Sequence, residues 1–160
     1  MAGALTQAPM RLARRAERDE NLAEYLAFLL AGERYGIELT RIREILSSPP
    51  LTPVPRAPRD VLGICSVRGL VVTVLDLRRR LRLEERPPTR RARILLTQTD
   101  WGEVMGLYVD EVQQVVRFPT AAIEFAPAVL GGDTSEHVAG IARPPSGLIV
   151  LLNLPSIVAC

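Results

Sequence analysis

The sequence predicts a mainly β protein built as two similar small barrels lying side by side, with a few short helices. Three observations support this. Roughly nine or ten short apolar runs follow one another, divided by turn-forming Gly, Pro and Asp residues, a pattern that favours barrels or sandwiches. Aromatic residues make up 4% of the chain against 48% hydrophobic residues, so Val, Leu and Ile must fill the core, as in aliphatic strands. The motif of hairpin, strand and short helix recurs in the two halves of a 160-residue chain, a length that suits one domain or two subdomains sharing a core.

Residues 1–22 read as an N-terminal tail, flexible or helical, because "RLARRAERDE" is too polar for a secretory core segment. "EYLAFLLAGERYGIEL" follows as two strands joined by Ala31-Gly32-Glu33, where Gly32 permits a tight turn. "TRIREIL" predicts a short helix capped by Thr40, since Ile42, Ile45 and Leu46 stand at i, i+3 and i+4. Five prolines between Pro49 and Pro58 then impose an extended connection, because proline lacks the amide a central strand needs.

"GICSV" and "LVVTVLDL" form a hairpin around Arg68-Gly69. Their near-continuous apolar character calls for cover on both faces, or for a small barrel whose exterior is also buried. Asp76 is placed to cap a helix over "LRRRL", with Leu77 and Leu81 docking it and the arginines facing out. "EERPPT" marks the best subdomain boundary. Beyond it, "RARILLTQ" and "EVMGLYVD" flank the turn 99–102, and "EVQQVVRF" is a strand ended by Pro119. An irregular stretch leads to "HVAGIA" and "LIVLLNL", a third hairpin around "RPPSG". Asn153 can cap a final short helix with Pro155 in its first turn.

The formal charge of +2 hides an uneven distribution. Residues 77–93 hold eight arginines against Glu84 and Glu85, a local charge of +6, while the rest of the chain carries −4. Such a cluster raises phosphate binding. Single-strand binders also present stacking aromatics, and none lies in the cluster. A solvated helix face, a protein contact and a nucleic-acid-binding barrel all remain open from charge alone.

His137 is the single histidine, so it cannot build a typical zinc site, and Ser-His-Asp or Cys-His catalysis would depend wholly on it. Asp76, Asp110 and Glu111 stand at strand ends, where capping and turn residues belong. Neither a phosphate-binding loop nor a dinucleotide fingerprint is present. Cys65 lies in an apolar strand and reads as a small buried hydrophobe, and Cys160 as an exposed last residue. No apolar run is long enough to span a bilayer. The inventory predicts no enzyme, no metal and no cofactor. Arg68 is either a plain turn residue or an interface anchor.

Read in order, "FLLAGERYGIEL", "RIREIL", "TPVPRAPRDVLGICSVRGLVVTVLDLRRRL", "EVMGLYVDEVQQVVRFP" and "AGIARPPSGLIVLLNL" resemble the CheW-like domain, the adaptor of bacterial chemotaxis arrays. The resemblance runs from about Tyr25 to Ile157. It implies two packed five-stranded, SH3-like β-barrels, one region at 23–85 and the other at 90–158, with strand exchange between them allowed. It implies a cytoplasmic, non-catalytic adaptor. Its partners would be a chemoreceptor's cytoplasmic tip, docked in the groove between the barrels, and the regulatory domain of a CheA-type histidine kinase, packed barrel to barrel. Residue by residue, it implies docking roles for Arg68, Ile42 and Glu44, a turn role for Gly63, and close approach at Gly106 in the second barrel. Ser66-Val67 stand where the family has Asn-Leu, Thr73 where it has Pro, and Asn153 where it has Asp.

Overall fold

The computed structural model describes residues 21–125 and 135–159. The expected tail and Cys160 fall outside them, apart from Asn21 and Leu22. Among the described residues, ten strands form two five-stranded mixed sheets. They are β1 (Leu22–Leu30), β2 (Glu33–Glu38), β3 (Ile42–Ser47), β4 (Val61–Val67), β5 (Leu70–Asp76), β6 (Arg93–Gln98), β7 (Val104–Val109), β8 (Glu111–Pro119), β9 (Val138–Ala142) and β10 (Ile149–Leu152). Helix α1 (Leu77–Arg80) follows β5, and α2 (Leu154–Val158) follows β10.

The first sheet runs β8-β1-β2-β10-β9 and the second β3-β6-β7-β5-β4. These orders correct the expectation of closed barrels. Among the described residues, no ladder joins β8 to β9 or β3 to β4, so both sheets are open. One isolated bridge spans toward each far edge. Thr52 exchanges two backbone hydrogen bonds with Ile64 of β4, and Glu124 exchanges two with Ile141 of β9. Proline explains why Thr52 bridges alone: Pro49, Pro50 and Pro53 around it have no amide to donate.

The sheets repeat one plan. Each holds two antiparallel hairpins joined through a parallel pair, β5 with β7 and β2 with β10. In each, a glycine precedes the bridged residue, Gly63 before Ile64 and Gly140 before Ile141. The first sheet combines β1 and β2 with β8, β9 and β10, and the second combines β3, β4 and β5 with β6 and β7. Both therefore draw strands from both parts of the chain.

Burial follows the period of two. Leu26, Phe28 and Leu30 of β1 join Leu75, Leu95, Leu107 and both helices in a central core between the sheets. Tyr25 and Ala27 point the other way, into a second cluster with Phe118 and Ile149. Cys65, Val72, Ile94 and Tyr108 fill a third within the second sheet. The near-continuous apolar strands are thus covered on both faces. Each sheet curls around its own small core and turns its back to the shared one.

The segment expected to be a helix after Thr40 is instead a 3-10 turn at Leu39–Arg41 followed by β3. A strand fits Ile42 and Leu46 and leaves Ile45 outside: Ile42, Glu44 and Leu46 share the half-buried face, and Arg43, Ile45 and Ser47 the exposed one. Pairing with β6 decides between the two periods. At α1, Asp76 is the cap as expected, its Oδ1 accepting from the Arg78 amide at 3.0 Å. The outward-facing arginines need one correction. The Arg78 side chain is buried, between Asp76 and Asp110.

Candidate functional site

The β4–β5 hairpin turns through Arg68 and Gly69, both with positive φ (51° and 81°). A two-residue turn of this hand matches the twist of the strands. Ala31 and Gly32 do the same in the β1–β2 hairpin (51° and 85°), so the turn geometry alone assigns Arg68 no role.

Its side chain carries more information. The guanidinium donates to both carboxylate oxygens of Glu44, Nη1 to Oε2 at 2.8 Å and Nη2 to Oε1 at 2.6 Å. This two-pronged geometry fixes orientation as well as charge, and it pushes the Arg68 pKa further up. Glu44 lies on β3, and Arg68 at the tip of β4–β5. The pair therefore reaches between the edge regions that no ladder joins. It is exposed, with 76% of the Arg68 side chain open to solvent. Beside the tip, Leu70 and Val71 are 54% and 65% exposed. Charge and bare aliphatic surface thus share the open end of the second sheet.

Of the five residues singled out in the sequence, the structure brings Arg68 and Glu44 together. The other three lie elsewhere. Ile42 packs against the central core. Gly63 sits where the bridge comes closest: a Cβ there would stand 2.8 Å from the Thr52 carbonyl oxygen. Gly106 lies in β7, in the same sheet as Arg68, and a Cβ there would meet Ile94 and Val74 methyl groups at 2.8 and 3.1 Å.

Sequence reasoning missed a cleft of about 250 Å³ where the 3-10 turn between β2 and β3 faces the end of β10. Glu38 and Arg41 face Ala139, Leu152, Leu154 and Pro155 across it. No local motif announces this cleft, because its walls come from segments roughly a hundred residues apart. Arg41 is also held by Asp100 at 2.5 Å.

The basic cluster is largely engaged. Arg79 bonds Glu85 at 3.0 Å, Arg80 faces Asp60 at 3.3 Å, Arg91 faces Glu111 at 3.2 Å, and Arg78 is buried with Asp76 and Asp110. Arg93 donates to the backbone carbonyls of Arg90 and Ala92. A phosphate backbone would have to displace these partners, which disfavours the nucleic-acid reading. His137 is buried and bonds Ser156 Oγ through Nδ1 at 3.0 Å. Burial and the nearby Arg80 push its pKa below the usual histidine value. Burial likewise raises the Cys65 thiol. Among the described residues, no cluster of His, Cys, Asp or Glu is arranged to hold a metal, and no helix is long and apolar enough to cross a membrane.

Comparison with known proteins agrees with this layout. The family model for the CheW-like domain matches residues 24–159. Protein FrzA of Myxococcus xanthus is 35% identical over 132 residues, which is 82% of this chain and 80% of that protein. The chemotaxis protein CheW of Rhizobium meliloti is 29% identical over 134 residues, 84% of this chain and 86% of its own. The crystal structure of the scaffolding protein TtCheW from Thermoanaerobacter tengcongensis superposes with a TM-score of 0.80 at 29% identity, covering 86% of this chain and 93% of that one. With the fold, the order of the motifs and the match in agreement, the chain belongs to the CheW-like family, whose members are non-catalytic adaptors in chemotaxis signalling.

Proposed function

We propose that this protein couples the cytoplasmic tip of a chemoreceptor to the regulatory domain of a CheA-type histidine kinase in the cytoplasm. The observation that carries the reading is the Arg68–Glu44 pair beside exposed Leu70 and Val71. Arginine with uncovered aliphatic surface is a composition suited to an interface anchor. The open sheet edges offer the kinase domain strands to pack on. The cleft at Arg41 offers a receptor helix a seat. Glu44 lies three residues beyond Arg41, the last residue of the turn before β3, within about 10 Å of chain, so one docked helix can touch both. The helix then presents a carboxylate to Arg68, in competition with Glu44.

The test is a calorimetric titration of wild-type and Arg68→Ala protein against a soluble receptor-tip fragment and against the kinase regulatory domain. The tip should bind Arg68→Ala roughly thirtyfold more weakly, as for loss of a charge-assisted contact at an interface. Kinase binding should change less, and the unfolding midpoint should hold. Wild-type protein that binds neither partner would end the reading. Wild-type affinity of Arg68→Ala for the tip would return Arg68 to the status of a turn residue.

A further inference from the structure

Three consecutive arginines leave α1 in three directions. Arg78 turns inward to Asp76 and Asp110, and Arg79 reaches Glu85. Arg80 crosses to the other helix. Its Nε donates to the Ile157 carbonyl at 3.0 Å, and its Nη2 to the carbonyls of Ser156 at 3.3 Å and Ala159 at 2.5 Å. Its Nη1 donates to Asp60 Oδ2 at 3.3 Å. The last carbonyls of a helix have no partner within it, and here one guanidinium takes three at the end of α2. The contact is half sheltered, with 22% of the Arg80 side chain exposed.

The two helices belong to different sheets. α1 continues directly from β5 of the second sheet, and α2 follows β10 of the first after one residue. Arg80 is therefore a polar tie between the sheets. The opposite end of α2, Leu154 and Pro155, forms one wall of the cleft at Arg41. A five-residue helix is too short to bend, so fixing one end sets the other.

We propose that Arg80 is a positioning residue: by holding the end of α2 it fixes the angle between the sheets, and with it the gap between Arg41, which Asp100 ties to the second sheet, and the first-sheet wall of the cleft that receives a helical partner. The proposal rests on the receptor-docking reading for its consequence, but not for its geometry. Arg80→Met keeps the length of the stem and removes every donor. Arg80→Lys keeps the charge and can satisfy one carbonyl at a time.

Spin labels at Gln114→Cys on β8 and Ser47→Cys on β3, both exposed positions on different sheets, report the angle by pulsed dipolar spectroscopy. They are placed in a Cys65→Ala, Cys160→Ser background. Arg80→Met should broaden the distance distribution and weaken binding of the receptor-tip fragment roughly fivefold, the size of effect seen for residues that act through a neighbour. Kinase-domain binding should stay within about twofold, and Arg80→Lys should recover part of both changes. An unchanged distribution in Arg80→Met would overturn the proposal, whatever the affinity does. A broadened distribution with unchanged tip affinity would overturn its link to the cleft. If wild-type protein binds no tip at all, the docking reading fails, and the distance measurement still decides whether Arg80 sets the angle.

Discussion

Gly63→Ala should cost the protein about 2–3 kcal/mol, a figure that follows from the Thr52 bridge. The new Cβ would stand 2.8 Å from the Thr52 carbonyl oxygen and 3.2 Å from its carbon, with Leu51 Cβ at 3.3 Å. The obstacle is mainly backbone, so the bridging segment itself must retreat by a few tenths of an ångström. That carbonyl accepts from the Ile64 amide at 2.9 Å, and Thr52 donates back at 2.8 Å. Pro53 stiffens the segment and limits its retreat. Two backbone hydrogen bonds are weakened, at about 1 kcal/mol each, and residual overpacking adds to that. For a chain of this size the melting temperature should fall by roughly 5–10 °C. Guanidinium and thermal unfolding measure the loss, and hydrogen exchange at the Thr52 and Ile64 amides locates it. Gly69→Ala is the control. Nothing lies within 4 Å of its Cβ, so only its positive φ of 81° is penalised, by about 1 kcal/mol, with the bridge amides still protected. A wild-type melting curve for Gly63→Ala, with both amides protected, would refute the reasoning.

Two further substitutions probe the interior. Arg78→Met leaves buried Asp76 and partly buried Asp110 without their shared cation, and should cost about 3 kcal/mol in guanidinium unfolding. Adding Asp110→Asn should recover part of that loss, and simple additivity of the two changes would speak against a coupled cluster. His137 predicts a pH dependence. Its folded pKa lies below the ordinary 6.5, chiefly through burial and then Arg80, against opposing pulls from Glu136 and Asp60. The unfolded chain therefore takes up this proton first. The contribution of neutral His137 to stability is complete above about pH 6.5 and is lost as pH falls below it. Melting temperatures between pH 8 and 5 should fall less steeply for His137→Asn than for the wild type, and equal slopes would show that another group carries the effect.

The strands were legible because their signals are local. Ala31-Gly32 and Arg68-Gly69 mark turns, and Asp76 marks a cap, through residue chemistry that neighbours cannot override. β3 was misread because Ile42 and Leu46 satisfy both periods while Ile45 points to the helical one, and only β6, fifty residues on, settles the matter. Barrel closure was misjudged for a related reason. Strand composition reports burial on both faces, but not whether the end strands meet. In the second sheet that depends on the prolines near Thr52, whose effect on a distant edge has no local signature. Arg68 and Glu44 were both singled out through family resemblance, yet their contact spans 24 residues and could not be read from either position alone. The Arg80 tie was hidden inside a run of arginines that looked like a solvated face.

The order of strands has a consequence for how the protein is made. The β1–β2 hairpin leaves the ribosome early, but its outer flanks are filled by β8 and β10, which come late, with Tyr35 facing Val150. At ordinary rates of synthesis the gap lasts on the order of ten seconds. Throughout it, two aliphatic strands expose unpaired amides and carbonyls on both sides, a template for pairing with other nascent chains. The second sheet waits less, since its last strand, β7, is complete by Val109, before β8 begins. A chain two-thirds made is thus one finished sheet beside one bare hairpin. Misassembly during translation should therefore begin at β1 and β2, which makes that hairpin the natural place for a chaperone to hold.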